Sequence, residues 1–247
     1  MPTRFHIGAQ SLRGAITAYA KRFDLLEVRV GLVPTPKGKS SLAPSLATLR
    51  RWRKETPPAF SFCVVAGPNL SRLKPGPEFD IELDAAKAAI DVLQARCFVL
   101  RTPAEVTPAP VWRNRIGALL AQFPNDATRV VWEPGGVWEL DTAIVAARAW
   151  RAVVAVDASR EPVPPGPVAY VRLRGMGETH SYGPSALERM AASIGDRQDA
   201  FVVLETDTAL RECKTLRTVA AGVAAQGGMG RLVRPHGGIV VGDDEQE

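Results

Sequence analysis

Apolar residues recur along the chain in two alternating patterns. Short, β-branched runs of strand length stand at Phe5–Ala9, Leu25–Val30, Phe60–Ala66, Cys97–Thr102, Arg129–Glu133, Ala152–Asp157, Val168–Arg174 and Phe201–Thr206. Most are bounded by Gly or Pro, as strands are. Between them the spacing is helical. Ile81, Ala85, Ala88, Ala89, Val92 and Leu93 predict one buried helix face. Leu46, Leu49 and Trp52 mark another helix, and Val111–Gln122 a third, behind Pro108 and Pro110. Ser185 and Glu188 have the spacing of a capping box. Asp141 is placed to cap a helix running through Trp150, and Thr206 or Asp207 to cap one over Ala209–Ala221.

Eight strands alternating with helices predict a single (β/α)8 TIM-like barrel over residues 1–221, with parallel strands inside a ring of helices. Near-continuous apolar strands suit a parallel sheet covered on both faces. A doubly wound open sheet has a similar rhythm and is the structural alternative. The first strand's FHIGAQSLRG lacks the glycine spacing of a dinucleotide-binding turn. Residues 222–247, rich in Gly and acidic at the end, are expected to form a disordered tail. The GGMGR within that tail is not followed by the Lys-Ser/Thr of a phosphate loop.

A barrel collects its chemistry at the carboxyl ends of its strands. Those ends carry Glu27 with Arg29, Arg101, Glu133, Asp157, Arg172 with Arg174, and Glu205 with Asp207. Side chains alternate faces along a strand. In AYVRLRG, therefore, Val171 and Leu173 should meet the helices while Tyr170, Arg172 and Arg174 point into the barrel. The candidate catalytic carboxylates are Glu133, Glu27 and Asp157, which act as general acid or base where burial or a like charge raises their pKa. Arg172, Arg174, Arg29 and Arg101 are the candidate substrate-binding residues, since arginine pairs suit bidentate capture of phosphate or carboxylate. The competing reading is structural, with Glu27–Arg29 and Glu133–Arg172 as satisfied ion pairs that plug the barrel.

Composition narrows the classes. The hydrophobic fraction of 46% is that of a globular chain, and no stretch approaches the length of a membrane span. MPTRFHIGAQ lacks the apolar segment of a secretory signal, so a cytoplasmic protein is expected. Cys63, Cys97 and Cys213 have no CxxC spacing, and Cys63 and Cys97 read as buried, inert thiols. The formal net charge is +5; with four acidic residues in the terminal GDDEQE, the body carries 31 basic against 22 acidic residues. That excess favours an anionic partner. The basic residues are scattered, however, and aromatics amount to 6% without an interleaved basic–aromatic pattern, so nucleic acid ranks last among partners.

Three histidines, His6, His180 and His236, are too few and too dispersed for a zinc site. A Mg²⁺ ion on Glu133, Asp157 and Glu205 has no supporting spacing, so no metal is assigned and the cofactor is left unknown. No GxSxG is present and no cysteine has a histidine partner evident in the sequence. Trp132 should pack against helices, whereas Trp138, beyond the strand, is placed to cover a ligand.

Five segments in order, RFDLLEVRV, WRKETPPAFSFCVVAGPNLSR, WEPGGVW, VVAVDASREP and AYVRLRG, resemble the landmarks of domain-of-unknown-function family 72, the YecE-like proteins. The resemblance runs from about Ile7 to Ala221. It implies a TIM-like barrel of soluble bacterial and archaeal proteins with no established activity, in which Glu27, Glu133, Asp157 and Arg172 match polar strand-end positions. It also implies departures here: Val65 stands in place of a common Lys, Gly135 of an Arg, Arg174 of a His, and Thr206-Asp207 of an Asn. Three functions remain open: an enzyme acting on a small anionic metabolite by carboxylate acid/base chemistry, a non-catalytic ligand-binding barrel with a degenerate site, and a nucleic-acid-associated protein. The sequence does not fix an oligomeric state.

Overall fold

The computed structural model describes residues 3–34, 40–123, 127–175 and 181–229; the side chains of 32–34, 40–42 and 223–229 are not described. The chain order is β1 (Arg4–Ala9), α1 (Ile16–Ala20), β2 (Leu25–Arg29), β3 (Leu32–Pro34), β4 (Ser40–Leu42), α2 (Leu46–Glu55), β5 (Ser61–Val65), α3 (Pro68–Arg72), α4 (Pro77–Leu93), β6 (Cys97–Arg101), α5 (Pro110–Leu120), β7 (Arg129–Glu133), α6 (Leu140–Ala149), β8 (Val153–Val156), β9 (Val168–Arg174), α7 (Pro184–Ile194), β10 (Asp199–Glu205) and α8 (Ala209–Met229). Eight strands close a parallel barrel in the order β1-β10-β9-β8-β7-β6-β5-β2. The open-sheet alternative is thereby excluded. The extra pair β3–β4 is a small antiparallel sheet after β2.

Two apolar shells hold the barrel together. The lumen is filled by Leu25, Cys63, Val65, Cys97, Val99, Val131, Ala155, Tyr170, Phe201 and Val203, and by Val168 nearest the floor. The opposite strand faces, including Val171, Leu173 and Trp132, pack on the helices. Each fully buried side chain of this kind contributes about 1.5–3 kcal/mol. Cys63 and Cys97 are register partners inside the lumen, fully buried and free.

Several local expectations are corrected. Helix α4 buries Ala89 and Leu93 as expected and packs Ala85 and Val92 against the core, but its first turns are rotated: Ile81 is 67% exposed, while Glu82, Leu83 and Ala86 are buried. The reason is Glu82. Its carboxylate accepts the backbone N–H of Asn69 and of Leu70, each at 2.9 Å, and the Asn69 amide. These are the orphan donors at the start of α3, whose N-cap Gly67 supplies no side chain. The N-cap of α7 is Gly183, with no side-chain cap, so Ser185 and Glu188 do not form a capping box. Helix α6 already begins at Leu140, which puts Asp141 inside the first turn, where a negative charge complements the helix dipole. Helix α8 opens after Thr208, whose carbonyl accepts the Glu212 N–H.

No helix follows β8; residues 157–167 run as irregular chain. Pro162, Pro164, Pro165 and Pro167 remove the donors that a helix would need there. At the other end of the chain, α8 continues to Met229, eight residues past the expected boundary at 221. The remainder of the expected tail, 230–247, lies outside the described residues, as do His180 and His236. Among the described residues no helix is long and apolar enough to cross a membrane.

Candidate functional site

Strand parity brings Arg172 into the lumen just above Tyr170, and there it is 1% exposed. A guanidinium removed from water needs its donors filled and its charge matched. Arg172 Nη2 and Nη1 donate to the two oxygens of Glu27 at 2.5 and 3.0 Å. Its Nε donates to Glu133 at 2.6 Å and its Nη1 to Glu205 at 2.6 Å. Glu27 also accepts the Tyr170 hydroxyl at 2.5 Å. Burial opposes the charge on Arg172, but Glu27, Glu133 and the other anionic neighbours outweigh it and lift the guanidinium well above its ordinary pKa. Burial likewise pushes the Tyr170 hydroxyl well up. The expected Glu27–Arg29 pair is not formed. Glu27 and Arg29 lie two residues apart on one strand, and Glu27 turns instead to the guanidinium at the centre of the lumen.

A second ring of arginines stands above this knot. Arg174 bonds Glu133 through Nη2 and approaches Glu205 through Nε at 3.6 Å. The Tyr182 hydroxyl donates to the Arg174 carbonyl, which ties down the end of β9. Arg101 Nε lies 3.0 Å from Glu133, its register partner on β7. Arg29, on β2, makes no hydrogen bond or ion pair among the described residues. Burial first, then the like charge of Arg101, lower its guanidinium from the ordinary value. On formal charges, the four arginines Arg29, Arg101, Arg172 and Arg174 face Glu27, Glu133, Glu205 and Asp157, but only Arg29 lacks a carboxylate partner among the described residues.

Asp157, just past β8, is a separate case. Its Oδ1 accepts the Ser159 N–H at 3.0 Å and the Ser159 hydroxyl at 2.6 Å. Its Oδ2 is buried without a hydrogen-bond partner, the nearest cation being Arg160 Nε at 3.8 Å. Asp157 lines a cavity of about 200 Å³ together with Arg172, Arg174 and Glu133. An adjoining cavity of about 390 Å³ is lined by Arg101, Thr102, Glu133, Gly135, Arg174 and Arg72.

The seven candidates read from sequence therefore gather at the carboxyl end of one barrel. Parity also points to Glu205, last residue of β10 and register partner of Arg174, as the third partner of Arg172. Trp138 lines the cavity beside Asp157, Arg172 and Arg174, and it is also a packing residue. Its indole N–H donates to the Val106 carbonyl at 2.7 Å and its ring packs edge-on to Trp132, bracing the β7–α6 loop. Gly135 has a packing reason of its own: a Cβ there would collide with the Thr102 carbonyl oxygen and crowd Pro103. Gly136, at φ +72°, sits against Ala104 in the same way. Among the described residues no group of three or more His, Cys, Asp or Glu is placed to hold a metal ion.

The family model for the protein of unknown function DUF72 matches residues 42–229. A DUF72 family protein from Enterococcus faecalis V583 is similar in structure, with a TM-score of 0.69 at 12% identity, covering 88% of this chain and 95% of that one. One from Thermotoga maritima MSB8 gives a TM-score of 0.62 at 14% identity over 91% and 99% of the two chains. A xylose isomerase domain containing protein from Salmonella typhimurium LT2 gives 0.55 at 15% identity over 90% and 97%. At these identities the likeness is one of fold. No curated protein matches the chain.

Proposed function

The chain belongs to the DUF72 family, and from that premise we propose that it binds a small phosphate- or carboxylate-bearing metabolite at the carboxyl mouth of its barrel. The observation that carries this reading is Arg29, a half-buried guanidinium beside Arg101 with no carboxylate partner among the described residues. An anion bridging Arg29, Arg101 and Arg174 would supply the partner that Arg29 lacks. Glu27, Glu133 and Glu205 then serve as the buried frame that holds Arg172 and aims the rim. Arg172, each of whose three guanidinium nitrogens already donates to a glutamate, takes the role of a fixed positive charge under the ligand.

A second reading adds turnover, and the bare Oδ2 of Asp157 favours it. Glu27 and Glu133 are each hydrogen-bonded by arginine, whereas Asp157, which lines the cavity beside Arg172 and Arg174, keeps one carboxylate oxygen without a hydrogen bond and with Arg160 no nearer than 3.8 Å. In an acid/base reaction it is the carboxylate with a free lone pair to take a proton from a bound substrate. Titration of inorganic phosphate into the full chain by calorimetry, with mass spectrometry of co-purifying small molecules, tests the binding reading. Arg29→Ala and Arg101→Ala are each expected to weaken the anion about tenfold. Unaltered affinity and occupancy in both variants would overturn it. Asp157→Asn should leave occupancy intact, and loss of turnover of the retained ligand would separate the second reading from the first.

A further inference from the structure

The opposite face of the barrel carries a cavity of comparable size, about 380 Å³, below the starts of β7, β8 and β9. Val130, Ile144, Val153 and Val154 give it an apolar floor. Arg129, Arg148 and Arg151 stand at its edge, and none of its lining residues is acidic. Among the described residues these three arginines make no ion pair and no side-chain hydrogen bond. Three guanidinium groups around one concavity repel one another and raise the local concentration of anions.

The walls are fixed. On one side, α6 ends in a turn in which Ala152 N–H returns to the Ala147 carbonyl at 2.8 Å and Arg151 adopts φ +54°. That conformation ordinarily belongs to glycine at a helix end. The other side is the proline-rich segment that replaces the helix after β8. Arg197 clamps it, donating to the Gly166 carbonyl at 2.8 Å, and Gln198 N–H bonds the Pro167 carbonyl at 2.8 Å. A preformed cavity loses little ordering entropy when it is filled.

We infer that this cavity binds an amphipathic organic anion, its acidic head on Arg129, Arg148 and Arg151 and its apolar body on the valine floor. Because it opens on the face away from the mouth, its occupant is a second ligand rather than the metabolite held by Arg29 and Arg101. The test uses anilinonaphthalene sulfonate as probe and neutral phenylnaphthylamine as its uncharged counterpart, both titrated by fluorescence into the full chain. The wild type should bind the sulfonate more tightly than the amine. Arg148→Ala combined with Arg151→Gly should weaken the sulfonate about tenfold and leave the amine unchanged. Glycine suits the Arg151 backbone, so the double variant should keep a thermal midpoint close to wild type; Arg129→Ala, on a different element, should weaken the probe in the same direction. Arg29→Ala should not alter it. Equal binding of sulfonate and amine by the wild type, unchanged sulfonate affinity in both the double variant and Arg129→Ala, or a loss that follows Arg29→Ala would each overturn the proposal.

Discussion

Both ends of the barrel lumen bury charge, and they do so differently. At the floor, His6 lies between Asp199 (Nε2 to Oδ1, 2.8 Å) and Ser61 (Nδ1 to Oγ, 3.0 Å), with its ring stacked on Phe201 at 4.7 Å. Arg4 adds a contact to Asp199 at 3.0 Å. Ser61 is fully buried, so this serine–histidine–aspartate line faces no substrate. Each group has a partner and nothing is left over. The mouth instead gathers four arginines and three glutamates, stacked so that every nitrogen of the lower arginine has a glutamate partner while Arg29 on the upper rim has none among the described residues. Buried polar clusters therefore do not by themselves mark a site; what sets the mouth apart is an arginine with no carboxylate partner among the described residues.

The strongest way to break that contrast is to remove the centre of the mouth. Arg172→Met keeps much of the side-chain volume and strands three carboxylates in the lumen. The expected loss of stability is about 3–5 kcal/mol, read from chemical denaturation. A loss below about 1 kcal/mol would mean that water already reaches Glu27, Glu133 and Glu205, and that Arg172 is no buried frame.

At the floor the expected effect is smaller and depends on pH. Burial pushes the Asp199 carboxyl up, but the His6 hydrogen bond and the Arg4 charge outweigh it and hold it below its usual range. A depressed carboxyl contributes stability above the unfolded value near pH 4, and that contribution fades as pH falls through the lower folded value. Asp199→Asn should therefore cost about 2 kcal/mol at neutral pH, with the gap to wild type closing in acid and no change in anion binding at the mouth. A gap that widens on acidification reverses the sign and removes Asp199 as an ionised partner. Gly135→Ala acts back at the mouth. Its methyl group meets the Thr102–Pro103 backbone, and the expected cost is between about 1 and 2 kcal/mol, with a fall in thermal midpoint. If the variant is as stable as wild type, the two loops are not in the close approach that makes this position a glycine.

The strands were legible because eight β-branched runs bounded by Gly or Pro leave little freedom, and Arg129–Glu133 and Val168–Arg174 match residue for residue. Parity along AYVRLRG was enough to send Arg172 inward. Other features depend on partners that the local pattern does not reveal. The inward stripe of α4 follows Glu82, whose polarity reads as surface until the bare start of α3 is placed beside it. The floor joins residues 193 apart in sequence, and no local spacing announces such a contact. Proximity along a strand suggests Glu27–Arg29 as a structural ion pair, whereas the lumen that brings Arg172 to Glu27 is a property of closure. Arg29 is legible as a candidate binding residue, but that it stands without a carboxylate is visible only once Glu27 is seen to turn to Arg172.

The smallest expected effect on stability is also the most informative. Arg29→Ala removes a guanidinium that burial and Arg101 both disfavour and that no described carboxylate holds. Its folding free energy should stay within about 0.5 kcal/mol of wild type, because the lost stem packing is offset by relief of the repulsion from Arg101. Inorganic phosphate should nevertheless bind about tenfold more weakly. A residue that frames the barrel does the reverse: it costs stability and leaves the ligand alone once the fold is retained. Should Arg29→Ala lose as much stability as Asp199→Asn while phosphate affinity holds, Arg29 belongs with the floor as structural charge, and the mouth has no more claim to a ligand than the buried histidine at the other end.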